Sequence, residues 1–106
     1  MAFTITVQEL KQRLDKGDKV VLIDVREQWE YNTAKIEGAT LIPLATLPQS
    51  LDKLDKNADI VCHCHHGMRS ADATAFLHQQ GFKSVKNLIG GIDAWSLHVD
   101  SKVPRY

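Results

Sequence analysis

With 106 residues, a formal net charge of +0, 43% apolar and 25% charged residues, the chain has the proportions of one soluble globular domain spanning residues 1–106. No basic run is interleaved with aromatic residues, and no apolar run approaches the roughly 20 residues of a membrane span, which leaves nucleic-acid and membrane binding without support. Cys62 and Cys64 stand too close together for a framework disulfide. Met1 to Thr6 lacks the basic-then-apolar pattern of a secretion signal, so a reducing cytoplasm is the expected setting.

In chain order, Thr6-Val7-Gln8-Glu9 reads as a capping box that opens a helix running to about Lys16 and stopping at Gly17, with Val7, Leu10 and Leu14 on one face. Val20-Val21-Leu22-Ile23 is a continuous β-branched run, as in a strand buried on both faces of a parallel sheet. Asp24-Val25-Arg26-Glu27 follows its C-terminal end, and Gln28 to Tyr31 is a short helix. Thr40-Leu41-Ile42 is a short strand closed by Pro43. Leu44 to about Asp55 is a loop and helical stretch, with Pro48 and Ser50 near a helix start. Ile60 to His63 is the next buried strand. The helix that follows ends at Gly81, and Val85 to Leu88 is the last strand. Gly90-Gly91 then turns into a short helix carrying Ala94 and Trp95. Strands separated by helices imply an α/β fold with a largely parallel sheet, whose sites form beyond the C-terminal ends of strands. Asp24 and Cys64 both fall there.

The segment with most chemistry in it is Cys64-His65-His66-Gly67-Met68-Arg69-Ser70. It puts a cysteine at a strand end and an arginine at a helix start. Loop amides and the helix N-terminus aimed at one sulfur favour the thiolate. Gly67 supplies a positive φ where the turn needs it. Ser70 caps the helix or turns its hydroxyl to the sulfur. Arg69 offers a planar fork for an anionic group. His65 and His66 add positive charge at mildly acidic pH, and Met68 lines the mouth.

Taken together, the chain resembles single-domain rhodaneses, which are sulfurtransferases. The resemblance rests on Leu22 to Tyr31, on Ile36-Glu37-Gly38-Ala39 with Ile42-Pro43-Leu44, on Cys64 to Ser70, and on Leu88-Ile89-Gly90-Gly91-Ile92-Asp93-Ala94-Trp95. Their order and spacing cover nearly the whole chain. It implies a rhodanese-like, five-stranded, largely parallel sheet flanked by helices on both faces, and a persulfide intermediate on Cys64. Lys35 stands where the family usually has histidine, and Glu37 where it usually has proline, which puts contacts at the pocket rim in question.

The expected reaction moves a sulfane sulfur from thiosulfate or a similar donor, through Cys64, to cyanide, a thiol or a protein. Cys64 and Arg69 are the expected catalytic residues. His65, His66, Gly67, Met68 and Ser70 are expected to bind substrate, with Asp24 and Lys35 as candidate rim residues. No cofactor or metal is expected: the two faces of a strand separate Cys62 from His63, and no second Cys/His pair has finger-like spacing. A sulfur-relay module with protein donor and acceptor is the alternative. A cysteine-dependent phosphatase or arsenate reductase is more remote, since such loops place five residues between cysteine and arginine and this one has four. Cys62, Trp29 and Trp95 are read as core residues, His78 and His98 as surface or packing residues, and Asp24 with Arg26 chiefly as a structural pair. A monomer or weak homodimer is expected.

Overall fold

The computed structural model describes residues 3–106. Met1 and Ala2, on which the reading of the N-terminus partly rests, lie outside the described residues. Five strands form one parallel sheet: β1 (Thr4–Ile5), β2 (Val21–Asp24), β3 (Thr40–Leu41), β4 (Asp59–His63) and β5 (Ser84–Leu88), in the order β1-β5-β4-β2-β3. The helices are α1 (Val7–Asp15), α2 (Gln28–Thr33), α3 (Met68–Gln79) and α4 (Gly91–His98), with a 3-10 helix over Leu44–Lys53. Residue by residue the sequence indicates four of these strands. The fifth, β1, is a two-residue edge strand too short to carry a periodic signal, and it pairs with β5 through Thr4↔Asn87 and Ile5↔Leu88.

Side chains on successive strand residues face opposite sides of a sheet, and that alternation divides the core in two. On one side Leu22, Val61 and Leu88 pack with Val7 and Leu10 of α1 and Ile92 and Trp95 of α4. On the other, Ile23, Ile60, Cys62 and Val85 pack with Ala73 and Leu77 of α3 and Leu47 of the 3-10 helix. Both faces of the sheet are thus covered, which is why β2 and β4 read as continuous apolar runs.

Local signals account for the helix ends. Thr6 accepts the Glu9 N–H and the Glu9 carboxylate accepts the Thr6 N–H, the reciprocal box that the sequence shows. Gly17 follows the end of α1 at φ +82. Pro48 lies inside the 3-10 helix rather than at the start of an α-helix. It lacks the N–H that an α-helical ladder would require. Among the described residues no helix is long and apolar enough to cross a membrane.

Candidate active site

The parallel register brings the C-terminal ends of β2, β4 and β5 together, and the loop after β4 lies over them. Cys64 is 1% exposed. Its Sγ accepts the Gly67 N–H at 3.1 Å and the Ser70 N–H at 3.4 Å, and the Ser70 Oγ stands 3.4 Å away. Gly67 is the N-cap of α3 at φ +117, a left-handed conformation that lets the chain reverse directly into the helix. The sulfur therefore sits at the positive end of a twelve-residue helix under two converging amides.

Two neighbouring segments hold this loop in shape. Asn87, at the end of β5, donates through Nδ2 to the Gly67 carbonyl at 3.1 Å and accepts the Ser70 hydroxyl at 2.5 Å through Oδ1. The first turn of α4 donates to the loop's opening carbonyls, Ile92 N–H to Cys64 O at 2.9 Å and Asp93 N–H to His65 O at 3.2 Å. Such an approach requires Gly91. A Cβ there would lie 2.4 Å from the Cys64 carbonyl oxygen and 2.5 Å from that of His65.

Arg69 does not point an unengaged fork at the sulfur's surroundings. Nη1 and Nη2 bind Glu30 Oε1 and Oε2 at 2.6 and 2.9 Å. The remaining N–H groups of this side chain, 37% exposed, are not engaged by Glu30. The guanidinium holds the Glu30 carboxyl down at about 2, against the opposing effect of burial. Glu30 also accepts the Glu27 N–H as part of the cap of α2, and the Tyr106 hydroxyl at 2.8 Å. The Tyr106 oxygen in turn accepts from Arg26 Nη1 at 2.8 Å. Burial, with Glu30 adding to it, pushes the Tyr106 phenol up to about 12. Its ring lies flat on His65, which is stacked on its other face by His66, both at 4.1 Å between centroids. Burial, then the neighbouring His66, lowers the His65 pKa, so His65 adds less positive charge at mildly acidic pH than an unperturbed histidine would.

Two candidate rim residues lie elsewhere. Asp24 is fully buried, and its carboxylate is spent on Arg26, with Nε–Oδ1 2.9 Å and Nη2–Oδ2 2.6 Å. The pair is structural: Arg26, itself 0% exposed, also donates to the Ala34 carbonyl at 2.6 Å and so ties β2 to the end of α2. Lys35 lies over the Tyr31 ring and lines a separate cavity of about 340 Å³ with Glu37, Asp100 and Lys102, to which no residue of the Cys64 loop contributes.

Met68 is exposed at the loop's edge. Cys62 lies in the core, where burial pushes its thiol up to about 12 and keeps it protonated. Trp95 is a core residue but Trp29 is not. It is 61% exposed and meets the Tyr106 ring edge-on, because Glu30 takes the inward-facing position on α2. His78 packs on Phe3 and reaches the Val85 carbonyl, and His98 is exposed.

Sequence reasoning assigned no role to Asn87, Glu30 or Tyr106. Asn87 carries a usable signal, a polar residue among Val85 and Leu88 at a strand's C-terminal end. Glu30 is legible as the N3 carboxylate of a capping box but not as the partner of Arg69. Nothing local marks Tyr106.

The model of the rhodanese-like domain family matches residues 6–98. The chain is 40% identical over 105 residues to the probable adenylyltransferase/sulfurtransferase MoeZ of Mycobacterium tuberculosis, covering 97% of this chain and 27% of that protein. It thus spans about a quarter of that relative's length. It is 36% identical over 85 residues to the thiosulfate sulfurtransferase GlpE of Coxiella burnetii, covering 80% of this chain and 79% of the other. A rhodanese-like domain protein from Staphylococcus aureus superimposes with a TM-score of 0.85 at 33% identity, covering 97% of both chains. A family match over most of the chain, agreement in fold and a cysteine loop closed by α4 together establish that this chain belongs to the rhodanese-like domain family.

Proposed function

We propose that the protein is a sulfurtransferase that carries sulfur as a persulfide on Cys64, with thiosulfate or a similar sulfane-sulfur compound as donor. The observation that carries this reading is the seat of Cys64 Sγ under the Gly67 and Ser70 amides at the start of α3. In the first half-reaction the Cys64 thiolate attacks the outer sulfur of thiosulfate. The sulfur–sulfur bond of the donor breaks, and sulfite leaves with the bonding pair. In the second, cyanide or a thiolate attacks the outer sulfur of the Cys64 persulfide, and the Cys64 thiolate departs. Dividing the transfer in two in this way replaces one difficult displacement with two easier ones. The loop amides stabilise the negative charge that resides on Cys64 at the start, on the outer sulfur in between, and on Cys64 again at the end. Arg69, oriented by Glu30, offers its remaining N–H groups to the sulfonate end of the donor. Its positive charge is partly offset by Glu30, which suits release of sulfite as well as capture of thiosulfate.

The compactness of the loop supports a single sulfur as the bound atom. Four residues separate Cys64 from Arg69, and the two amide contacts converge on Sγ itself. The test is formation of thiocyanate from thiosulfate and cyanide, with double-displacement kinetics. Cys64→Ser should abolish it. Full activity in that variant would refute the assignment.

A relay role with a protein donor and acceptor is the second reading. It is favoured by the occupied Arg69 fork and by the likeness to MoeZ, a protein about four times longer in which the matching region is one part. A thiosulfate enzyme saturates at modest thiosulfate concentration. A relay module turns over poorly until its protein partner is added.

A further inference from the structure

The outer wall of the site holds a second group of ligating atoms. His65, His66 and Asp93 each present one nitrogen or oxygen, and these atoms all lie within 4.8 Å of one another. His66 Nε2 stands 3.8 Å from Asp93 Oδ2. We propose that His65, His66 and Asp93 form a binding site for a divalent transition-metal cation of the zinc class, with water completing the coordination.

The three residues come from two elements whose backbones are tied together. The Asp93 N–H donates to the His65 carbonyl, and the Ile92 N–H to that of Cys64. Gly91 allows the approach because it has no Cβ to strike those carbonyls. The two imidazoles are held nearly parallel, 14° apart and 4.1 Å between centroids, and the Tyr106 ring backs His65 at 15°. The backbone tie between the two elements, rather than a chance meeting of surface side chains, keeps the three ligand atoms within reach of one another.

The donor set selects the ion. Two imidazoles and one carboxylate suit zinc, nickel or copper(II), whereas calcium and magnesium call for oxygen ligands. Zinc bonds of about 2.0–2.2 Å in a tetrahedral arrangement put ligand atoms roughly 3.3 Å apart. Closing from the observed spacing requires His66, whose side chain is 65% exposed, to swing off the His65 ring so that the nitrogen lone pairs converge. Arg105 is the competing cation. Its Nε holds Asp93 Oδ1 at 2.8 Å, and its Nη2 holds Oδ2 at the longer 3.3 Å. The oxygen facing His66 is the one held less closely, so a metal ion displaces the weaker of the two contacts. Occupancy would fasten His65, the residue after Cys64, to α4.

The test is calorimetric titration of zinc chloride into Cys64→Ser protein, which removes the thiol as a rival ligand and makes the result independent of sulfur transfer. One zinc per chain should bind. Asp93→Asn and His66→Ala, each added to that background, should weaken binding at least as much as the roughly tenfold loss that follows removal of an outer-shell partner. His98→Ala, an exposed histidine elsewhere, should leave it unchanged. Arg105→Ala should tighten it, a gain that misfolding cannot produce. Absence of saturable binding in Cys64→Ser would overturn the proposal. So would affinity indifferent to Asp93→Asn and His66→Ala, or no gain in Arg105→Ala.

Discussion

The Ser70 hydroxyl donates to Asn87 Oδ1 at 2.5 Å, so the hydroxyl proton beside Cys64 Sγ is directed at a neighbouring amide instead. The orientation of Asn87 is fixed because its Nδ2 donates to the Gly67 carbonyl. A hydroxyl has one proton, and Ser70 can give it to the sulfur only by releasing Asn87. Asn87→Asp replaces the Nδ2 donor with a second acceptor and adds negative charge beside the loop. Alkylation of Cys64 by iodoacetamide at fixed pH should be slower in Asn87→Asp than in Asn87→Ala. Asn87→Ala itself should cost about 1–2 kcal/mol in a urea titration, since it removes the Asn87 Nδ2 donor from the Gly67 carbonyl.

Gly91 and Gly38 provide a matched comparison. Both have positive φ, +59 and +88, but a Cβ at Gly91 would strike backbone carbonyls of the Cys64 loop, whereas one at Gly38 meets nothing within 4 Å. Gly38→Ala should cost about 1–2 kcal/mol, the left-handed strain of a single residue, and leave sulfur transfer intact. Gly91→Ala should cost more and abolish transfer, because relief of the clash moves the loop off α4. Thermal melts beside thiocyanate assays read both effects.

Breaking the buried Asp24–Arg26 pair should destabilise the fold by about 3–5 kcal/mol, because either partner alone is a charge without compensation in a dry site. Tyr106→Phe tests the outer end of the same network. It keeps the ring on His65 but removes the hydroxyl between Arg26 and Glu30, at a cost of about 1 kcal/mol. Urea midpoints at constant m check both values.

Acid should weaken the fold in two stages. Burial lowers His63 from 6.5 to about 4, with the nearby Asp24 charge opposing. Between those values the unfolded chain takes up a proton that the folded chain refuses, so stability falls as pH drops from about 6.5 towards 4. His65, whose pKa is also lowered, contributes in the same direction. Glu30 is held at about 2 against an ordinary 4.5, chiefly by Arg69. Its contribution is full above 4.5 and is lost as pH falls through about 2. His63→Leu should flatten the first stage and Glu30→Gln the second, as read from chemical denaturation across pH.

What the sequence made legible follows from how local each signal is. The capping box at Thr6 and Glu9, the buried run of β4 and the glycine before α3 are short-range features, and each appears where the residues indicate. The strand β2 instead sits one residue later than its apolar run, at Val21–Asp24, with Val21 37% exposed. β1 was not legible because two residues cannot establish a period. Trp29 misleads because its bulk suggests burial while its neighbour Glu30 takes the inward-facing position. Asp24 lies at the end of β2 as its apolar run indicates, and Lys35 follows α2, but only the fold reveals that Asp24 turns into Arg26 and that Lys35 faces another cavity. The pairing of Arg69 with Glu30 joins residues 39 apart, and that of Tyr106 with Glu30 joins residues 76 apart. No periodicity or spacing encodes such contacts.

The most direct measurement is the intact mass of the reduced protein before and after thiosulfate, beside Cys64→Ser. Transfer through Cys64 predicts a gain of one sulfur atom in the wild type, reversed by cyanide and absent from the variant. An equal gain in Cys64→Ser, or none in a folded wild type offered thiosulfate and then a thiol persulfide, would contradict a persulfide on Cys64.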